Sequence, residues 1–101
     1  MKDIVAKQFK SGLLADEMVK ALQTQVPDVS WGGRESEYDG IYVLGRTADG
    51  IKVRILKCKE YNELEVYFPS EYSDQRKKAF MSWIETAVLP AIRATGVIDA
   101  R

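Results

Sequence analysis

Three stretches in the second half of the chain, "IYVLGRT", "IKVRILKCK" and "ELEVYFP", place apolar residues at every second position. That is the period of strands with one face buried. "ADG" and a turn near Tyr61 and Asn62 separate them, so they read as an antiparallel meander. A three-residue Ala48-Asp49-Gly50 loop, with Gly50 in the left-handed region, sets Thr47 opposite Ile51 and Val43 opposite Ile55. A two-residue loop would set Arg46 opposite Val53 and mix charged with apolar side chains on one face. The first register gathers Ile41, Val43, Ile51, Val53, Ile55, Leu64, Val66 and Phe68 on the core side.

Before and after the meander the period changes. Ile4, Val5, Phe9, Leu13, Leu14, Met18, Ala21 and Leu22 recur at three- and four-residue steps, which predicts amphipathic helix. The stripe changes phase at Ser11 and Gly12, so a short helix to about Phe9 and a second from Gly12 are expected, with Ser11 as a cap and Pro27 as the stop. At the other end Phe80, Trp83, Ile84, Ala87, Val88, Ala91 and Ile92 form one stripe, with Ser73 as N-cap and Gly96 as stop. Pro90 falls inside this helix and should kink or divide it. The expected fold is α+β in two layers: an antiparallel three- to four-stranded meander flanked by N- and C-terminal helices, in the order α-β-β-β-α.

The optional fourth strand is "DVSW", in which Val29 and Trp31 alternate with Ser30. Trp31 then caps the open end of the core, only partly buried, while Trp83 on the helical stripe is fully core. Gly32 and Gly33 turn the backbone away, and "RESEYDG" becomes a solvated loop ending in an Asp39-Gly40 turn. Trp31 and Tyr38 are the aromatic anchors such a loop could offer a partner.

Composition narrows the function. At 101 residues with 46% hydrophobic positions the chain is expected to form one domain, 1–101, with a packed core. Fifteen basic residues balance fifteen acidic ones, against the net basic face that a polyanion partner usually demands. The N-terminal stretch mixes charge into every turn, so neither a signal peptide nor a membrane span is read there, and a cytoplasmic protein is expected. There is no histidine, the commonest general base and metal ligand, and one cysteine, Cys58, between Lys57 and Lys59. Glu35, Glu37 and Asp39 alternate but match no cation-binding loop. No enzyme, cofactor or metal is therefore expected.

Two surfaces remain. On the register above, the second face of the sheet shows Tyr42, Leu44, Leu56, Cys58 and Tyr67 beside Arg46, Lys52, Arg54, Glu63 and Glu65. Apolar patches rich in aromatic residues and Arg mark protein interfaces, unless the segment from Asp3 to Phe9 folds over this one. The second surface is "QRKK", where Arg76, Lys77 and Lys78 oppose the dipole of the last helix. The order helix, three strands, helix with Lys77, Lys78 and Ala79 near the last helix start resembles the double-stranded RNA-binding domain across roughly Gly12 to Thr95. That resemblance implies phosphate contacts by the lysines. The short Ala48-Asp49-Gly50 loop departs from it, lacking that family's Gly-Pro and His. The expected function is a non-enzymatic protein-binding module, a small regulator, adaptor or inhibitor, binding another protein or a second copy through Trp31, Tyr38, Tyr42, Leu44, Arg54, Leu56 and Tyr67. The alternative is a nucleic-acid binder using Arg76, Lys77 and Lys78.

Overall fold

The first described element is a strand. The computed structural model describes residues 3–38, 40–58 and 60–96, and in it β1 (Asp3–Phe9) precedes α1 (Ala15–Gln25). Four strands follow, β2 (Ser30–Ser36), β3 (Gly40–Arg46), β4 (Lys52–Lys57) and β5 (Asn62–Phe68). The last described elements are α2 (Asp74–Trp83), a π turn (Ile84–Val88) and α3 (Leu89–Gly96). All five strands join one antiparallel sheet in the order β1-β5-β4-β3-β2. The α+β class holds, but with five strands rather than three or four, and with β-α-β-β-β-β-α in place of α-β-β-β-α. The element order behind the resemblance to the double-stranded RNA-binding domain is lost with that change.

The segment expected to be a short helix is β1 because Val5 and Phe9 satisfy both periods. They are four apart, which suits one helix face, and also an even number apart, which suits one strand face. The exposed edge of β5 decides between them: β1 pairs along its whole length, from Asp3 with Phe68 to Phe9 with Asn62. Phe9 enters the core and Val5 packs against it. Ser11 does not cap a helix. Its hydroxyl accepts from the Leu13 N–H and donates to the Ile92 carbonyl, both at 3.1 Å, tying the connection to α3. Helix α1 starts three residues later than expected, where the Leu14 N–H donates to Glu17 Oε1 at 2.8 Å.

The meander register is the expected one. Val43 pairs with Ile55, the Thr47 N–H donates to the Ile51 carbonyl at 3.0 Å, and Gly50 has φ +97°. β2 is longer than "DVSW": it runs to Ser36, so the first three residues of the expected "RESEYDG" loop lie in an edge strand paired with β3. The hairpin it forms extends past the helical layer. Ile41, assigned to the core face, therefore lies on that side but is 58% exposed.

All the helices lie on one face of the sheet. Met18 and Leu22 of α1 and Ile84, Val88, Leu89 and Ile92 of the C-terminal helices close over Val43, Val53, Ile55, Leu64 and Val66. Ser73 caps α2, accepting from the Arg76 N–H at 3.2 Å. Pro90 divides the last helix as expected. It lacks an N–H and its ring crowds the carbonyl four residues back, and the π turn just before it widens the helix, the Leu89 N–H reaching Ile84 O.

The two tryptophans exchange their expected places. Trp31 is 6% exposed and lies over Gly45, its partner on β3, while Trp83 is half-buried at the rim against Phe80. The reason is the missing side chain at Gly45, where the indole fills the space, and the indole Nε1 donates to the Val26 carbonyl at 2.9 Å. Among the described residues no helix is long and apolar enough to cross a membrane.

Candidate functional site: the bare face of the sheet

Because side chains alternate along a strand, the four registers fix which residues share the face that no described helix covers. Its central row runs Ala6, Glu65, Arg54, Leu44 and Gly32 from β1 to β2. Tyr67 and Lys52 adjoin on one side of this row, Leu56 and Tyr42 on the other.

Glu65 organises the centre. Its Oε1 accepts from Arg54 Nη2 at 2.9 Å, from Arg54 Nε at 3.2 Å and from the Tyr67 hydroxyl at 2.7 Å. The Arg54 guanidinium lies 5.3 Å from the Tyr42 ring centre and 5.6 Å from that of Tyr67, and Lys52 Nζ stands 4.8 Å over Tyr67. Burial alone would raise the Glu65 carboxyl, but the hydrogen bonds from Tyr67 and Arg54 outweigh it and hold the group below the usual range. For Tyr67, burial and the bond to Glu65 act together and push the phenol up. Burial would lower Arg54, yet its bond to Glu65 leaves it more basic than usual. These groups stay charged, or in the case of Tyr67 neutral, across the whole neutral range.

This lattice covers its own apolar residues. Leu44 lies on the bare face yet is only 8% exposed, and Tyr42, Leu56 and Tyr67 are half-buried. The apolar patch expected here is therefore more covered than the register alone implies, with Arg54 lying between the Tyr42 and Tyr67 rings.

Of the residues singled out from sequence, Tyr42, Leu44, Arg54, Leu56 and Tyr67 come together here. Trp31 does not, being in the core on the opposite face. Tyr38 sits apart at the tip of the β2–β3 hairpin, 94% exposed. Glu65, the common acceptor, was placed on this face by the register but not recognised as its hub. The signal was its position two residues before Tyr67 and opposite Arg54.

Two of the three cations of the basic cluster already have partners. The Arg76 guanidinium lies 4.0 Å from the Tyr72 ring centre, donates to the Tyr72 hydroxyl at 3.1 Å and reaches Asp49 Oδ2 at 3.4 Å. Tyr72 also donates to Asp49, and Lys77 Nζ stands 4.0 Å from Asp74. Lys78 is exposed. The Thr47 hydroxyl, and then Tyr72, hold the Asp49 carboxyl below the usual range, and the bond to Asp49 pushes Tyr72 up. The arrangement staples the β3–β4 turn to the start of α2. Glu35 and Glu37 are exposed, Asp39 and Lys59 lie outside the described residues, and Cys58 is exposed in the β4–β5 turn. Among the described residues no three His, Cys, Asp or Glu side chains converge as a metal site would require.

Comparison with known proteins gives no match: no family model, no curated protein and no solved structure matches this chain.

Proposed function

We propose that the chain is a non-enzymatic protein-binding module, a small regulator, adaptor or inhibitor, that takes its partner on the bare sheet face with the β2–β3 hairpin at the rim. The observation that carries this reading is the Tyr42, Arg54, Glu65 and Tyr67 lattice on a face without a helical layer. Tyr and Arg dominate interface hot spots, and here their rotamers are fixed before binding, which lowers the ordering cost of association. The face carries Arg34, Arg46, Lys52 and Arg54 against Glu63 and Glu65, an excess of two positive charges. A partner surface with a net negative charge fits it.

The test is affinity capture from host extract with three baits: wild type, Tyr38→Ser with Leu56→Lys, and Lys20→Glu on α1 as a control for the opposite side. Proteins retained by wild type and by the control, but lost from the double variant with its circular dichroism intact, support the reading. Equal retention by all three removes it. The nucleic-acid alternative through Arg76, Lys77 and Lys78 has less support, since Asp49, Tyr72 and Asp74 already engage Arg76 and Lys77. Duplex binding that weakens steeply with salt would restore it.

A further inference from the structure

The two outer strands of the sheet are finished differently. In an antiparallel ladder, alternate residues of an edge strand turn their N–H and C=O away from the single neighbour. The bond from the Thr47 N–H to the Ile51 carbonyl sets the phase. Val43 with Ile55 and Gly45 with Val53 are then hydrogen-bonded pairs. Carried across the registers, that phase leaves Trp31, Gly33 and Glu35 facing outward on β2, and Ile4, Ala6 and Gln8 facing outward on β1. The bond from the Cys58 N–H to the Tyr61 carbonyl falls in the same phase.

On β2 two of these outward carbonyls already have donors. Gln23 Nε2 donates to Trp31 O at 3.1 Å, and Arg34 Nη1 donates to Gly33 O at 3.0 Å. On β1 no described side chain or loop bonds the outward groups of Ile4, Ala6 or Gln8. Two of the usual protections of an edge, a proline and a bulge, are missing too, and the third, charge, comes down to one residue. Its seven pairs with β5 are unbroken, and between Ile4 and Phe9 the one charged residue is Lys7, turned to the helical side and ion-paired with Glu85.

We propose that β1 is a dimer edge, taken by β1 of a second copy running antiparallel about a two-fold axis at Ala6, so that the two sheets become one of ten strands. Outward residues must meet outward residues, and only an axis at Ala6 also overlaps the strands along their full length. Ala6 then faces Ala6, and Ile4 of each copy faces Gln8 of the other. Lys7 stands opposite Val5, so no like charges oppose at these pairs. A second copy is favoured because the segment meets its own partner edge in this register over its full length with no like charges, proline or bulge between the strands. Ile4, 40% exposed beside Tyr67, gains cover, and the bare faces of the two copies become continuous. The inference is independent of the partner-binding reading.

Sedimentation of the full chain over a wide concentration range tests it, with two variants. Ala6→Pro deletes an outward N–H at the axis and no bond to β5, a position where an edge strand tolerates proline. Ile4→Lys with Gln8→Lys sets like charges against each other across the axis. Wild type should reach twice the monomer mass, and both variants should stay at monomer mass with unchanged circular dichroism. The Ile4 and Gln8 amides should exchange slowly in wild type and rapidly in Ala6→Pro. If Ala6→Pro does not fold, the double-lysine variant decides. A wild type that remains monomeric at every concentration overturns the proposal, as does a folded double-lysine variant that still dimerises. A folded Gly33→Pro variant that loses the dimer would move the interface to β2 and overturn it equally.

Discussion

A methyl group on Gly45 would stand 2.5 Å from Trp31 Cζ3 and 3.0 Å from Val29 Cγ1. Neither neighbour can move cheaply, because the indole is held by its bond to Val26. Gly45→Ala should therefore destabilise the protein by about 1–3 kcal/mol, the usual cost of overpacking. At roughly 4–8 °C of Tm per kcal/mol for a domain this size, the loss is easily seen in a thermal melt with Trp emission as the second readout. Gly33→Ala is the control, since nothing lies within 4 Å of the added carbon, and its Tm should hold. If the two melt alike, the contact between Trp31 and Gly45 does not matter. The same contact explains why the tryptophans were misassigned from sequence. Trp31 stands beside two glycines and a polar run, which reads as surface, and the glycine that makes room for it is fourteen positions away on another strand. Trp83 was on the right stripe, but α2 buries no residue completely, so the stripe there ends at a rim.

Helix α2 depends on its first turn more than on its packing. Ser73 supplies the cap and the Asp49–Tyr72–Arg76 staple holds that turn against the sheet. Ser73→Ala should cost about 0.5–2 kcal/mol, measurable by urea denaturation, and a loss within error would show that the staple alone fixes the helix start. Legibility differed sharply between elements. β3, β4 and β5 alternate cleanly because one face of each is packed on the helices, so burial imprints period two on the sequence. The edge strands carry no such imprint. In β1, Ile4 and Ala6 are apolar on the exposed side, and in β2 the half beyond Gly32 projects past the helical layer, where nothing selects apolar residues. Edge pairing is a matter of backbone hydrogen bonds, which leave little trace in side-chain pattern. The bare face was legible as residue positions. Its self-covering was not, because stacking of Arg54 on two rings depends on rotamers.

Across the whole molecule the shifted groups define one pH profile. Glu65 and Asp49 titrate below the usual carboxylate range, so what they contribute is present above the unfolded-state value of about 4 and is lost as pH falls through their folded values. Tyr67 and Tyr72 titrate above the usual phenol value of about 10, so their contribution is present below it and is lost as pH rises further. With no histidine in the chain, Tm should be level between about pH 5 and pH 9 and fall on both sides. Glu65→Gln should flatten the acid limb and Tyr67→Phe the alkaline one, whereas a slope centred near neutrality would contradict the assignment. The closure of β1 onto β5 bears on how the molecule is made. Phe9 pairs with Asn62 and Asp3 with Phe68, so a ribosome delivers this strand first and its partner only after helix α1 and most of the meander have been synthesised. During that interval Ile4 to Phe9, four of whose six residues are apolar, lacks its partner strand and is open to any chaperone that grips such segments. Protease protection of β1 in ribosome-bound chains should therefore appear abruptly, once Phe68 has cleared the exit tunnel, and not gradually with length.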